Sequence, residues 1–219
     1  ELCEGGNIIE YIKKFNQNGK GVKNFYRMPS NRDPSTFNCQ FNLQYLPEFE
    51  VIKITKQIQK ALDYLHSVAN VIHRDIKLQN FLLTKNGIVK LSDFGLSVNY
   101  DDITDKASIV SICGTPNYIS PEVIDQNSHT FAVDIWAVGV IVFLMLTGQR
   151  PFKSINNKKT FERIRQVHYD WPIWPSVSEQ AKSFVDSILK KNPLDRPSAH
   201  KLLKHPFLCM KDDKTNKKS

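Results

Sequence analysis

One polar run, Val71-Ile72-His73-Arg74-Asp75-Ile76-Lys77-Leu78-Gln79-Asn80, constrains what this chain can fold into more than any other part of it. Three of its side chains suit three different chemical jobs. Asp75 can accept a proton from an attacking hydroxyl, Lys77 can set positive charge against a transferring phosphoryl group, and Asn80 offers an amide oxygen to Mg²⁺. Phosphoryl transfer asks a protein mainly for positioning and electrostatic stabilisation, so a short loop presenting base, cation and metal ligand fits that chemistry. Each residue alone means little: an Asp after an Arg is more often a surface ion pair of small worth. Five fixed residues at fixed spacing arise by chance at on the order of one in several million per start position at even residue usage, so the constellation decides.

The flanking segments read as the frame of that loop. Residues 48–68 carry Val51, Ile54, Ile58, Leu62 and Leu65 at three- and four-residue steps, the apolar stripe of a long helix that delivers it. Beyond it, Phe81-Leu82-Leu83-Thr84 and Ile88-Val89-Lys90-Leu91 flank Lys85-Asn86-Gly87, a hairpin with glycine at its turn. The second strand runs straight into Asp93-Phe94-Gly95. Further on, Asp134 precedes the most apolar run, residues 135–146, which is well short of the roughly twenty residues a membrane span needs. It reads as a buried helix ended by Gly148, with Pro151 beyond. Ser176 to Glu179 forms a capping-box pattern that opens a helix with Ala181, Phe184, Ile188 and Leu189 on one face. A short helix is expected over 199–203, before His205-Pro206-Phe207.

At the other end, Gly5 and Gly6 break an extended segment ahead of Ile8, Ile9, Tyr11 and Ile12, with Asn7 as N-cap. From Asn16 to about Pro47 the chain turns to Asn, Gly, Gln, Ser and Pro, a loop longer than most connections in compact domains. It reads either as a tolerated loop or as an interaction site, with Phe37, Phe41 and Tyr45 as anchors to the surface. Residues 209–219, Lys-rich from Lys211, read as a disordered basic tail.

Composition removes several classes. With 219 residues, 41% hydrophobic and 24% charged, the chain can bury a substantial core. The net charge is +8, but its Lys and Arg are scattered, which argues against a nucleic-acid partner. Cys3, Cys39, Cys113 and Cys209 form no C-x-x-C pair, against a zinc site or disulfide framework and in keeping with a reducing, intracellular setting. No secretory signal pattern opens the chain. It starts with Glu, in what reads as the middle of a fold, so a fragment of a longer protein is expected.

The order of these motifs resembles the hinge and C-terminal lobe of a eukaryotic serine/threonine protein kinase over residues 1–208. The fold this implies is mainly α (α+β): a protein-kinase-like C-terminal lobe with small β-hairpins, its N-terminal β lobe absent. Cys113-Gly114-Thr115-Pro116-Asn117-Tyr118-Ile119-Ser120-Pro121-Glu122, Asn192-Pro193-Leu194-Asp195-Arg196 and His205-Pro206-Phe207 look most similar to the polo-like kinases. The insertion at about 16–47 is outside the usual polo pattern, and no polo-box region is present. Calcium/calmodulin-type and autophagy-initiating kinases share much of the same vocabulary.

The resemblance implies transfer of the ATP γ-phosphoryl group to Ser or Thr of a protein substrate, with Mg²⁺ as the metal. Asp75 would be the base, with Lys77 and Thr115 as positioners, Thr115 bridging Asp75 and Lys77. Asn80 and Asp93 would hold the metal, and backbone groups at Glu1 and Cys3 the adenine edge, with Leu82 beneath the ring. Without a nucleotide, the same geometry is a strand running into a helix beside a core leucine. Residues 99–111 stand where an activation loop would, with Ser111, then Ser108 and Thr104, as phosphosites of an upstream activating kinase; Arg74 could pair with the phosphate. Alternatively these are solvated hydroxyls. Structural roles fall to His73 and Arg74 in the loop, to Phe94 and Gly95 beside Asp93, and to Asp134, which would brace the loop. Glu122 and Arg196 would make a buried ion pair.

A kinase also needs a Gly-rich loop, a strand lysine and a helix glutamate, none of which is in these residues. The 219 residues alone are therefore expected to transfer phosphate negligibly, and the parent protein to be active. The competing reading is a pseudokinase-like binding module. Retention of Asp75, Asn80 and Asp93 favours the enzyme.

Overall fold

Apolar residues at helical spacing become buried faces through most of the chain, in a computed structural model that describes residues 3–18, 45–102, 115–127 and 129–210. Helix α1 (Ile8–Gln17) buries Ile8, Ile12 and Phe15, and the Asn7 side chain caps it by accepting from the Glu10 N–H at 3.1 Å. Helix α2 (Glu48–Ser67) buries Val51, Ile54, Ile58, Leu62 and Leu65, the stripe the sequence marks. Between them, residues 19–44, with Phe37 and Phe41, lie outside the described part.

Two small antiparallel sheets carry the polar loop. Strand β1 (Val71–Ile72) leads into it and pairs with β4 (Val98–Asn99). Strand β2 (Phe81–Leu83) follows it and pairs with β3 (Val89–Leu91), Phe81 opposite Leu91 and Leu83 opposite Val89. The connecting turn closes where the Gly87 N–H donates to the Thr84 carbonyl at 2.9 Å, with Gly87 at φ +75°. Residues 5–7 run along the outer side of β2: Gly5 N–H donates to the Leu83 carbonyl at 2.9 Å, and Leu83 N–H to Gly6 at 2.8 Å. A Cβ on Gly5 would stand 2.7 Å from that Leu83 oxygen, so this approach needs glycine.

The rest of the lobe is helical: α3 (Pro121–Ile124), α4 (Ala132–Thr147), α5 (Asn157–Gln166), α6 (Glu179–Ile188), α7 (Ala199–Leu202) and α8 (Pro206–Cys209). Helix α4 is the centre, buried from Val133 to Thr147 on every face. That is what a helix apolar all round must be. Gly148 ends it in the left-handed region, at φ +70°. Trp136 of α4 stacks on Phe152, ring centroids 5.3 Å apart. Among the described residues no helix is long and apolar enough to cross a membrane.

Three boundaries differ from the sequence reading. Ser178, not Ser176, caps α6: its Oγ accepts from the Ala181 N–H at 3.2 Å. The reason is tertiary, since Glu48 at the start of α2 accepts from both the Ser178 N–H and its hydroxyl at 2.7 Å and fixes that residue at the helix entry. Helix α7 stops at Leu202, and Pro206–Cys209 form their own short helix, so Cys209 belongs to the lobe and not to the tail. Residues 211–219 lie outside the described part. Helices α3 and α5 carry no apolar stripe long enough to read; α5 buries only Thr160 and Ile164.

Candidate active site

The loop between β1 and β2 hangs from one buried carboxylate. Asp134, in the first turn of α4 and 1% exposed, accepts from the His73 backbone N–H through Oδ2 and from the Arg74 backbone N–H through Oδ1, both at 2.9 Å. His66, near the end of α2, donates its Nε2–H to the same Oδ2 at 2.9 Å. Arg74 is thereby held at φ +66°, a region costly for a residue with a Cβ, and its Nε donates to the Leu96 carbonyl at 2.6 Å. Asp134 thus braces the loop as the sequence reading has it, with His66 as a partner that reading did not name.

Asp75 stands at the centre of the polar cluster, buried at 8% exposure. Lys77 Nζ donates to Asp75 Oδ2, the Asn80 amide nitrogen donates to the Asp75 carbonyl at 2.8 Å and to Oδ2 at 3.3 Å, and the Thr115 hydroxyl donates to Oδ1 at 3.3 Å. Asp75, Lys77, Asn80 and Thr115, spread over 41 positions from 75 to 115, therefore meet at one carboxylate. Thr115 and Lys77 meet through Asp75, each on its own oxygen, so the carboxylate forms the bridge that the sequence reading gave to the hydroxyl.

His73 joins this cluster to Asp93. Its Nδ1 accepts from the Asp75 backbone N–H at 3.3 Å, which leaves Nε2 protonated and donating to the Ser92 carbonyl at 3.1 Å. The His73 and Phe94 rings meet edge to face at 5.0 Å. Ser92 donates both its N–H and its hydroxyl to the Asn80 carbonyl at 2.9 Å, which puts Asp93 next in the chain to a residue anchored on Asn80. Asp93 is exposed and holds φ +65°, and a Cβ on Gly95 would touch its Oδ1 at 3.4 Å.

The donor set fits Mg²⁺. Asn80 spends its amide nitrogen on Asp75 and keeps Oδ1 for a cation, and Asp93 presents an exposed carboxylate. Mg²⁺ takes few protein oxygens and fills its octahedron with water and phosphate. Among the described residues no group of three or more His, Cys, Asp and Glu forms a self-sufficient metal cage.

Glu122 and Arg196 tie α3 to the start of α4. The guanidinium meets Glu122 in a two-pronged pair at 2.6 and 2.7 Å, and its other N–H groups reach the carbonyls of Ala132, Lys190 and Lys191. It also lies 4.8 Å from the Trp136 ring centre. Leu82, half-buried on β2, lies beside Asn7. Cys3 is half-buried, its carbonyl accepting from the Gly6 N–H at 3.4 Å. Glu1, Thr104, Ser108 and Ser111 lie outside the described residues.

Sequence reasoning passed over Ser92, Ser120 and His129 as well as His66. Ser120 and His129 are 1% and 2% exposed, behind Asp75. Burial, aided by the Arg74 charge, holds the His129 imidazole below its usual pKa, against the opposing pull of Glu122 and Asp134.

Residues 2–208 match the protein kinase domain family, and the chain belongs to it. A Zea mays protein named probable serine/threonine-protein kinase CCRP1 is 43% identical over 164 residues, 74% of this chain and 26% of that protein. The Aedes aegypti serine/threonine-protein kinase PLK4 is 40% identical over 208 residues, 95% of this chain and 23% of its own. The Encephalitozoon cuniculi probable cell cycle serine/threonine-protein kinase CDC5 homolog is 40% identical over 214 residues, 97% of this chain and 39% of its own. The chain therefore spans well under half the length of these relatives. Relatives that carry the PLK name agree with the polo-like resemblance of residues 113–122, 192–196 and 205–207.

Proposed function

We propose that the protein of which these residues form the catalytic-loop lobe is a serine/threonine protein kinase of the polo-like group, using Mg²⁺-ATP. The observation that carries this reading is the convergence of Lys77, Asn80 and Thr115 on the Asp75 carboxylate. In this reading the substrate hydroxyl oxygen attacks the γ-phosphorus, the bond to the bridging oxygen of ADP breaks, and the hydroxyl proton passes to Asp75. Lys77 balances charge on the transferring group, and Thr115 holds Asp75 in the orientation that receives the proton. Asn80 and Asp93 would hold Mg²⁺, which when bound neutralises charge on the phosphates. Backbone groups near Glu1 and Cys3, with Leu82, are assigned to the adenine.

Thr104, Ser108 and Ser111 are assigned as phosphosites of an upstream kinase, with Arg74 as the phosphate partner. The insertion expected at about 16–47 is assigned to the residues after α1, which runs on to Gln17, and 211–219 are assigned as a basic tail. An intracellular setting, cytoplasmic or nuclear/cytoskeletal, is assigned with it, in keeping with the use of ATP. The test is γ-phosphate transfer from ATP to a protein substrate by the full-length protein, beside its D75N variant. Transfer that falls at least about 100-fold in the variant supports the reading; an undiminished rate in D75N ends it.

A further inference from the structure

Behind Asp75 the wall formed by residues 115–123 and the catalytic loop leave a small cavity of about 20 Å³, lined by Arg74, Asp75, Thr115, Ser120, His129 and Asp134 among others. That volume suits one water molecule and little else. Two side chains on its lining are almost wholly buried yet lack a hydrogen-bond partner among the described residues: the Ser120 hydroxyl, and His129 at both Nδ1 and Nε2. A buried polar atom left unpaired costs on the order of 1–3 kcal/mol, and Ser120 Oγ and a His129 ring nitrogen, on the lining of one cavity, can find a common partner there. Ring nitrogens of opposite character and a hydroxyl can together offer a water both a donor and an acceptor.

We propose that this cavity is a binding site for one ordered water, held by His129 and Ser120, that ties the wall bearing Thr115 to the segment entering α4, whose Asp134 carries the loop bearing Asp75. Ser120 adjoins α3, whose Glu122 is locked to Arg196, and the loop of the opposite lining residues Arg74 and Asp75 hangs from Asp134 through the His73 and Arg74 backbone N–H groups. The water is thus a further polar link between the Ser120 segment, which continues from Thr115, and the segment entering α4, whose Asp134 positions the loop of Asp75. Thr115 reaches Asp75 through one 3.3 Å bond, and that spacing depends on how closely the two segments approach. His129 is in this scheme a positioning residue: it touches neither substrate nor metal, and acts through the water.

The inference rests on the kinase reading for its kinetic part only, and the experiment separates the two. The first measurement is a crystal structure of the full-length protein at a resolution that orders internal waters. The expected result is a density peak within hydrogen-bond distance of a His129 ring nitrogen and of Ser120 Oγ. An empty cavity, or rings turned to other protein partners, overturns the proposal whatever the activity. The second measurement compares H129F and H129Q. H129F removes both polar atoms and is expected to expel the water and lower kcat about tenfold, leaving KM for ATP unchanged; H129Q keeps a donor and an acceptor and is expected to restore most of kcat. S120A, a smaller change, should lower the occupancy of the water without unfolding the protein. Water present in the crystal with kcat equal in all variants would refute the positioning role, and absence of transfer in every form, D75N included, would count against the kinase reading instead.

Discussion

The carboxylate of Asp134 accepts the backbone N–H of His73 at 2.9 Å, and the two residues belong to different layers of the lobe: one to the central helix, the other to the loop that carries Asp75. Through this bond a helix buried on every face positions the loop proposed to carry the chemistry. Asp134 also takes the Arg74 N–H and the His66 ring. Replacing it by Ala strands three donors in the interior. Each bond to a charged acceptor contributes about 1.5–3 kcal/mol, so D134A is expected to cost at least about 3 kcal/mol in urea unfolding. D134N, which keeps an acceptor oxygen but turns an amide N–H toward a donor, is expected to fold with a smaller loss and yet cut transfer by at least tenfold.

Arg196 is expected to tolerate no replacement. Its guanidinium spends itself on Glu122 and three carbonyls, and its pair with Glu122 is buried on both sides. Removing one partner of such a pair leaves an uncompensated charge and costs about 3–5 kcal/mol. R196K restores the charge but not the two-pronged geometry. The chemical-denaturation midpoint of R196K is expected to lie much nearer to that of R196A than to wild type.

Asp93 presents an exposed carboxylate on a left-handed backbone, and among the described residues its side chain has no hydrogen-bond or ion-pair partner. D93A is therefore expected to unfold at the wild-type midpoint while phosphate transfer falls by at least 100-fold. N80A behaves differently, because the Asn80 amide also holds Asp75. It should lose transfer and some stability together. Raising the Mg²⁺ concentration should recover part of the activity of N80A, read from initial rates across a metal titration.

These expectations rest on features that differ in how far the sequence discloses them. The stripe of α2 and the continuous apolar run of α4 are legible because burial of a helix face or of a whole helix imposes a period or its absence. Asp75, Lys77 and Asn80 are legible because one loop holds them at fixed spacing. His66 and Ser92 are not. His66 meets the Asp134 carboxylate of α4 across 68 positions and Ser92 meets the His73 ring across 19, and nothing local marks a His near a helix end or a Ser before an Asp as a partner of so distant a group. The choice of Ser178 over Ser176 as a cap is hidden for the same reason, since Glu48 makes it from 130 positions away.

Acid is expected to weaken the fold from about neutrality downward. The unfolded imidazole of His129 takes up its proton as pH falls through its ordinary value of 6.5, whereas burial in the folded protein holds that uptake to lower pH. Between the two the unfolded chain binds more protons, so stability is complete above about 6.5 and declines below it. His205, also depressed by burial, adds to the same slope. Denaturation midpoints measured from pH 8 to 5 should fall less steeply in H129Q than in wild type, and an equal slope in the two proteins would remove His129 from this account.

Gly139 tests the packing that holds the centre together. It lies in the middle of α4, where a glycine costs about 1 kcal/mol against alanine in propensity, so a bare propensity argument predicts that G139A stabilises. The neighbouring helix reverses that expectation. A Cβ at 139 would lie 2.6 Å from Ile188 Cγ2 and 2.9 Å from Leu189 Cδ2, both buried at the end of α6, so these core side chains must shift to admit it. Overpacking of this kind costs about 1–3 kcal/mol. G139A is therefore expected to lower stability by up to about 2 kcal/mol net of the propensity gain, and the double variant G139A/I188A to lose less than the sum of the two single variants, because the truncated side chain leaves room for the methyl group. A midpoint for G139A above wild type would mean that α4 and α6 are held farther apart than described.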